Sequence, residues 1–118
     1  MYIEIDFNSD EALYMQVRNQ IILGIAASRL REGQVLPSVR QMAEEIGINM
    51  HTVNKAYKLL VEEGVLVQQK KGFMVNPTMK IKMQEKELAL YRERLEELII
   101  DTHIFSISEE EIEKCEKV

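Results

Sequence analysis

The sequence predicts a mainly α-helical chain with one small β-hairpin, and three observations carry this prediction. Residues 36–63 contain two helix patterns joined by a three-residue turn that includes Gly47, which is the spacing of a helix-turn-helix. Two short β-type runs follow around a polar turn and predict a hairpin, which in this position is called a wing. From Thr78 onward, apolar residues recur every seven positions, a pattern typical of helices that pair with other helices. The predicted fold class is therefore a winged helix-turn-helix followed by a C-terminal helical dimerisation region.

The N-terminal segment alternates between apolar and polar residues over positions 2–7. This alternation predicts a short strand or an extended arm with one apolar side, formed by Ile3, Ile5 and Phe7. A helix is predicted next, from about Asp10 to Leu30. Its apolar residues recur every four positions, at Leu13, Val17, Ile21 and Ile25. Ser9 or Asp10 is the expected N-cap, and Gly33 is expected to end the element.

The helix-turn-helix prediction depends on capping residues. Ser38 followed three residues later by Gln41 forms a capping box, and Pro37 prevents the second helix from starting earlier. The residues that this helix is expected to bury are Val39, Met42, Ala43 and Ile46. Gly47 supplies a left-handed turn, and Asn49 caps a third helix that runs from about residue 50 to residue 63.

The third helix has one apolar face and one polar face. The residues expected to face inward are Val53, Tyr57, Leu60 and Val61. Those expected to face outward are His51, Thr52, Asn54, Lys55 and Lys58. Gly64 ends this helix, and the strand-like runs 65–67 and 73–75 enclose a polar turn that contains Lys70 and Lys71. Pro77 closes the unit, so we expect residues 1–77 to form one domain.

Residues 78–118 form the second predicted unit, which carries a heptad pattern. The apolar and aromatic residues of its seam are Ile81, Leu88, Tyr91, Leu95 and Leu98. About three repeats favour a coiled-coil seam, so we expect these side chains to form a dimer interface. The alternatives are that the seam packs on its own N-terminal domain and that Tyr91 lines an effector cavity. The pattern breaks near Thr102, and Ser108 with Glu111 predicts the start of a short final helix.

The charge is unevenly distributed along the chain. The net charge of −5 argues against nucleic-acid binding. However, residues 1–77 carry eight basic and nine acidic side chains, whereas residues 78–118 carry seven and eleven. Most of the acidity therefore lies in the C-terminal unit, and a DNA-binding surface would have to be a local basic patch.

The composition argues against several other classes of protein. The longest uncharged apolar run, residues 21–28, is too short to cross a membrane, and the N-terminus lacks the basic start of a signal peptide. Cys115 is the single cysteine, so no disulfide can form within the chain. These observations predict a cytoplasmic protein without membrane association. His103 and Cys115 are isolated, and no enzyme motif occurs, so we expect no metal, no cofactor and no catalytic site.

Residues 36–75 resemble the DNA-binding domain of the GntR family of bacterial regulators. The matching residues are Gly33, Leu36-Pro37-Ser38, Arg40, Ala43, Gly47, Thr52-Val53, Ala56-Tyr57, Leu60, Glu63-Gly64, Gly72-Phe73 and Val75. Residues 14–17 also resemble the first helix of this family. The short helical tail resembles the YtrA subfamily, in which such a tail serves for dimerisation and whose members are often linked to transporter operons.

The resemblance implies a homodimeric, sequence-specific DNA-binding regulator, in particular a repressor that acts on an inverted-repeat operator. It places Arg40 on DNA, and it places His51, Thr52 and Asn54 in the major groove. The wing residues Lys70 and Lys71 would lie at the minor groove or the backbone. Lys55 and Lys58 would neutralise phosphates. The sequence departs from the family at Met50 and Asn54, where Arg is common, and at Lys70, where Gly is common.

Plainer interpretations of the same residues exist. Arg40 could pair with Glu44 one helical turn away, and the lysines and His51 could be ordinary solvated positions. A different class of function is a winged helix that binds another protein, which the net acidity favours. The sequence leaves open whether a small-molecule effector binds. With so short a tail, a pocket shared between two subunits is a better place for one than a deep pocket within one chain.

Overall fold

The computed structural model describes residues 3–78 and 85–116. Its elements, in chain order, are α1 (Leu13–Ala26), α2 (Val39–Ile46), α3 (Met50–Glu62), β1 (Leu66–Gln69), β2 (Gly72–Val75), α4 (Glu85–Ile104) and α5 (Glu109–Glu116). The chain separates into two compact units, Met1–Ile81 and Lys82–Val118. The mainly α-helical winged helix-turn-helix predicted from the sequence is confirmed. None of the helices in residues 3–78 and 85–116 combines the length and the apolar content needed to cross a membrane.

Helix α1 is shorter at both ends than predicted. Its N-cap is Ala12, without a side-chain hydrogen bond, so the prediction of a Ser9 or Asp10 cap is wrong. The helix ends at Ala26 because Ser28 adopts a left-handed φ of 60°, and the chain then folds back so that the Leu30 N–H donates to the Gly24 carbonyl. Leu30 is buried by this turn. Gly33 therefore does not end the helix.

The N-terminal segment is an extended arm rather than a strand over the residues that the structure describes. Ile3 is buried and Ile5 is half-buried, but Phe7 is 66% exposed, so the predicted apolar side ends before Phe7. The side-chain amide of the buried Gln16 fixes the arm to α1. Its oxygen accepts from the Asp6 N–H at 2.8 Å, and its nitrogen donates to the Asp6 carbonyl at 3.0 Å.

The helix-turn-helix forms as its capping residues predict. The Ser38 Oγ accepts from the Gln41 N–H, and the Gln41 side chain accepts from the Ser38 N–H, both at 3.1 Å. Gly47 has the expected left-handed φ of 71°, which permits the tight turn. Asn49 Oδ1 then accepts from the His51 N–H at 2.7 Å and caps α3. These local hydrogen bonds fix where both helices begin.

The core of the first unit lies between α1, α3 and the hairpin. The fully buried residues of α3 are Val53, Ala56, Tyr57 and Leu60, whereas Val61, which was predicted to face inward, is half-buried. On α2, Met42 and Ala43 are buried, and Val39 and Ile46 pack against the core from its margin. Each buried aliphatic side chain contributes about 1.5–3 kcal/mol, so this cluster accounts for much of the stability of the unit.

The wing is an antiparallel hairpin with longer strands than predicted. Gln69 pairs with Gly72, so the turn contracts to Lys70 and Lys71. Gly72 has a φ of 139°, a conformation that favours glycine. The segment before α2 runs along the other edge of β2, where the Leu36 N–H donates to the Phe73 carbonyl at 2.9 Å. This third, short partner of the wing was not predicted.

The second unit consists of α4 and α5. The apolar residues of α4 that are 40–60% exposed include Leu88, Tyr91, Leu95 and Leu98. Ile81, the remaining residue of the predicted seam, lies outside the described residues. Helix α4 continues past the predicted break near Thr102 and ends at Ile104, where Ser106 adopts a left-handed φ of 53°. The Ser108 Oγ accepts from the Glu111 N–H at 3.2 Å, as its predicted capping role requires.

Candidate nucleic-acid interface

The polar residues predicted to contact DNA lie at the starts of α2 and α3. Arg40 is the second residue of α2 and is exposed. Within the described residues it forms no ion pair with Glu44, which was the plainer interpretation of this arginine. On α3, His51 is exposed, and Thr52 and Asn54 are half-buried in its first two turns. Both helix starts are held by side-chain caps, so these residues project from a fixed backbone.

Tyr57 connects α3 to the loop before α2 and to the wing. Its hydroxyl donates to the Pro37 carbonyl at 2.8 Å. Its ring meets the Phe73 ring edge to face, with centroids 4.9 Å apart and planes at 71°. Burial raises the pKa of Tyr57 well above its usual range, and the charge of Glu45 raises it further, so the hydroxyl remains a donor. One side chain therefore sets the positions of α2, α3 and β2 relative to one another.

The charged groups of α3 have different surroundings. The Lys55 ammonium lies over the ring of Tyr14 on α1, 4.0 Å from its centroid, which is a cation–π contact. Lys58 is exposed, and the described residues give it no ion-pair partner. The structure therefore places the exposed Lys55 side chain beside the contact between α1 and α3, and its contact with phosphate stays a prediction.

The wing tip supplies the other basic residues. Lys70 and Lys71 are both exposed and form the whole turn between β1 and β2. The base of the hairpin is fixed by Asn76, whose side-chain nitrogen donates to the Gly64 carbonyl at 2.8 Å. Since Gly64 follows α3, this hydrogen bond ties the wing to the end of that helix.

An ion pair between α1 and the end of α3 was not predicted from the sequence. Arg18 donates to both carboxylate oxygens of Glu63, with Nε–Oε1 at 2.9 Å and Nη2–Oε2 at 2.5 Å. The two side chains are 19% and 28% exposed. The residues lie 45 positions apart, so no local sequence signal marks the pair. It removes Arg18 from the basic residues available to a phosphate backbone.

The described residues were predicted to carry no metal site, and their potential metal ligands are His, Cys, Asp and Glu side chains. In residues 3–78 and 85–116, no three His, Cys, Asp or Glu side chains are close enough together to hold a metal ion. Cys115 is exposed on α5. The arrangement present is a capped pair of helices, an exposed arginine, a short polar helix start and a basic hairpin tip. This set of groups can hydrogen-bond base edges and neutralise phosphates.

The sequence of this unit matches known regulators. A family model described as bacterial regulatory proteins, gntR family, matches residues 13–75. The chain is 32% identical to the HTH-type transcriptional repressor YtrA of Bacillus subtilis (strain 168) over 111 aligned residues. The aligned region covers 93% of this chain and 85% of that protein. The match extends beyond α1–β2 into the C-terminal unit, since 111 residues exceed the length of the first unit.

Two solved structures extend the comparison to the fold. A protein described as a transcriptional antiterminator, from Listeria monocytogenes EGD-e, is 30% identical with a TM-score of 0.84, covering 99% of this chain and 88% of that chain. AraR(DBD) in complex with operator ORX1 is 25% identical with a TM-score of 0.55, covering 64% of this chain and 98% of that chain. The second structure shows a similar fold bound to operator DNA.

Proposed function

The chain belongs to the gntR family of bacterial regulatory proteins, and from that premise we propose that it is a homodimeric transcriptional repressor that binds an inverted-repeat operator. Membership confirms the resemblance found in residues 36–75, and the family consists of transcription regulators rather than enzymes. The observation that carries the proposal is the capped α2–α3 pair, with exposed polar residues at both helix starts and a basic wing tip beside them.

The proposed contacts divide into two groups. Helix α3 is the recognition helix, and His51, Thr52 and Asn54 read base edges from its N-terminal turns in the major groove. Arg40, Lys58, Lys70 and Lys71 bind mainly phosphates, which position the domain and make binding depend on salt. Lys55 is a further phosphate contact in this proposal, since its side chain is exposed even though its ammonium lies over the Tyr14 ring.

The C-terminal unit is the proposed dimerisation region. We assign DNA contact to residues 1–77 and dimerisation to residues 78–118. The exposed face of α4 with Leu88, Tyr91, Leu95 and Leu98 supports this assignment, because a large apolar face is costly to leave in water. A symmetric dimer places two recognition helices about 34 Å apart, which is one turn of B-DNA. The regulator acts in the cytoplasm, and the subfamily resemblance favours a transporter operon as its target.

A gel mobility-shift assay on the promoter of the protein's own gene tests DNA binding. We expect retention of this duplex over a random competitor, with affinity that falls steeply between about 50 and 200 mM salt. Arg40→Ala should weaken binding and lower the salt dependence, because it removes one phosphate contact. Full specific affinity in Arg40→Ala would contradict the role of Arg40, and affinity independent of salt would contradict the phosphate contacts as a group.

A second candidate function is a winged helix that binds another protein, which the net charge of −5 favours. A chain of this charge gains little from non-specific attraction to DNA. The two functions give opposite results in the same assay, because a protein-binding module retains no duplex even at low salt. The acidity is concentrated in residues 78–118, outside the proposed DNA-contacting unit, so the repressor is the function that we adopt.

A further inference from the structure

Met50 is an exposed apolar side chain at the start of the recognition helix. Within residues 3–78, the large hydrophobic side chains that remain exposed are Phe7, Val35 and Met50. Phe7 belongs to the N-terminal arm and Val35 to the segment beside β2, so Met50 is the one member of this set in the helix-turn-helix. It is 45% exposed, whereas Val53, Tyr57 and Leu60 of the same helix are fully buried in the core.

The backbone at Met50 is fixed by the cap of α3. Met50 is the first helical residue, directly after Asn49, whose side chain accepts from the His51 N–H. The Thr52 N–H also donates to the Asn49 carbonyl, at 3.1 Å. Met50 therefore shares the first turn with His51 and Thr52, and in a helix-turn-helix this turn is the part of the recognition helix that reaches the base edges.

The chemistry of methionine limits what this position can recognise. A thioether has no hydrogen-bond donor and is only a weak acceptor, so it makes no strong hydrogen bond to the polar edges of guanine, cytosine or adenine. The major groove presents one apolar group, the C5 methyl of thymine. The long, unbranched methionine side chain can adapt its shape to that methyl group. We infer that Met50 is a specificity-determining residue that selects thymine through contact with its C5 methyl group.

This inference rests on the proposed function, and it predicts a measurable dependence on one methyl group. Burial of one methyl group strengthens binding about fourfold. Deoxyuridine differs from thymidine only by lacking this methyl group, so it tests the contact without altering any hydrogen-bonding edge. The DNA substitution also leaves the protein unchanged, so the measurement on the wild type does not depend on whether a protein variant folds.

The experiment starts with the full chain and a library of randomised duplexes, from which bound sequences are selected. In a selected duplex, each thymine is then replaced singly by uracil, and binding is measured at constant salt. For the wild type we expect one position in each half-site where the replacement weakens binding about fourfold. Met50→Ala should lose sensitivity to uracil at that position, while Met50→Leu and the control Phe7→Ala should retain it.

The outcomes separate this inference from the proposed function. If no duplex is selected or retained at low salt, the proposed function fails and this inference fails with it. If duplexes are selected but no single uracil weakens binding, the inference is overturned and the proposed function stands. The inference is also overturned if Met50→Ala keeps the same sensitivity, since Thr52 or another residue then makes the methyl contact.

Discussion

The hydroxyl group of Tyr57 donates a hydrogen bond of 2.8 Å to the carbonyl oxygen of Pro37, so helix α3 is tied to the residue just before the Ser38 cap. Tyr57→Phe removes this bond and keeps a ring that can contact Phe73. We expect the free energy of unfolding to fall by about 1 kcal/mol, the usual net contribution of such a bond. Urea denaturation measures the change. Tyr14→Phe is the matched control, because it also removes a tyrosine hydroxyl while the half-buried ring of residue 14 remains under Lys55. An equal loss of unfolding free energy in both variants would contradict the stabilising role of the Tyr57–Pro37 hydrogen bond.

The raised pKa of Tyr57 predicts how stability depends on pH. Burial is the main cause of the shift, and Glu45 adds to it. The unfolded chain releases the Tyr57 proton near pH 10.0, whereas the folded chain still holds it. The contribution to stability is therefore complete below that pH and is lost as the pH rises above it. Tyr57→Phe has no such proton, so its unfolding free energy should fall less steeply above pH 10.0 than that of the wild type. Parallel curves would disprove this explanation.

The pair formed by Arg18 and Glu63 should stabilise the first unit. Two hydrogen bonds join the side chains, but solvent still reaches both, so we expect a coupling free energy of about 0.5–1 kcal/mol. A double-mutant cycle with Arg18→Ala and Glu63→Ala measures this coupling free energy, because the energies of the other contacts of Arg18 cancel in the cycle. The pair Lys114–Glu111 is the control, since its side chains are 65% and 63% exposed. Equal coupling energies for the two pairs would show that the partial burial has no effect.

The wing tip should contribute to affinity without contributing to base preference. Replacing Lys70 and Lys71 together with Ala leaves two phosphates in each half-site without a neutralising ammonium group. The slope of log K against log salt should then become shallower by about 0.9 for each of these phosphates. The selected base sequence should stay the same, because phosphate contacts carry no sequence information. Lys114→Ala on α5 is the control for loss of positive charge away from the wing. A changed base preference in the variant that lacks Lys70 and Lys71 would show that the wing reads bases.

The predicted dimer depends on one face of α4. Leu88 and Leu95 lie seven residues apart and are 44% and 58% exposed. Replacing both with Asp should shift the protein from dimer to monomer at micromolar concentration, as measured by light scattering, because buried carboxylates oppose association. Leu90→Asp is the control, since Leu90 is similarly exposed but lies off the heptad seam. A monomeric wild type, or a double variant that still dimerises, would rule out this interface.

Features that depend on neighbouring residues could be predicted from the sequence. The Ser38–Gln41 box, the left-handed Gly47 and the Asn49 cap all act within a few positions, so their residue types and spacing were sufficient. The order of helices and hairpin was predictable for this reason. The family resemblance placed Arg40 on the DNA side of the same helix that Ser38 caps, and Arg40 is exposed in the structure.

Features that depend on distant residues could not be predicted in this way. The early end of α1 follows from the packing of Leu30 under the turn at Ser28, and Gly33 forms a hydrogen bond with Val75 instead of capping the helix. The position of the Lys55 ammonium over Tyr14 also requires knowing how α1 crosses α3. A helix pattern identifies the outer face of α3 but does not distinguish a lysine facing DNA from one that contacts an adjacent helix.

The closed hairpin also limits how such a regulator can change over evolutionary time. Only Lys70 and Lys71 lie between paired Gln69 and Gly72, and Phe73 and Val75 are buried on alternate positions of β2. A single inserted residue would form a bulge or enlarge the turn, since the pleat repeats every two residues. Facing pairs of an antiparallel hairpin alternate between hydrogen-bonded and non-hydrogen-bonded, so the same two-residue turn is restored when two residues are added to each strand, which extends the tip by about 6.6 Å. The wing can thus lengthen in steps of two residue pairs, each carrying the tip roughly two base-pair spacings farther.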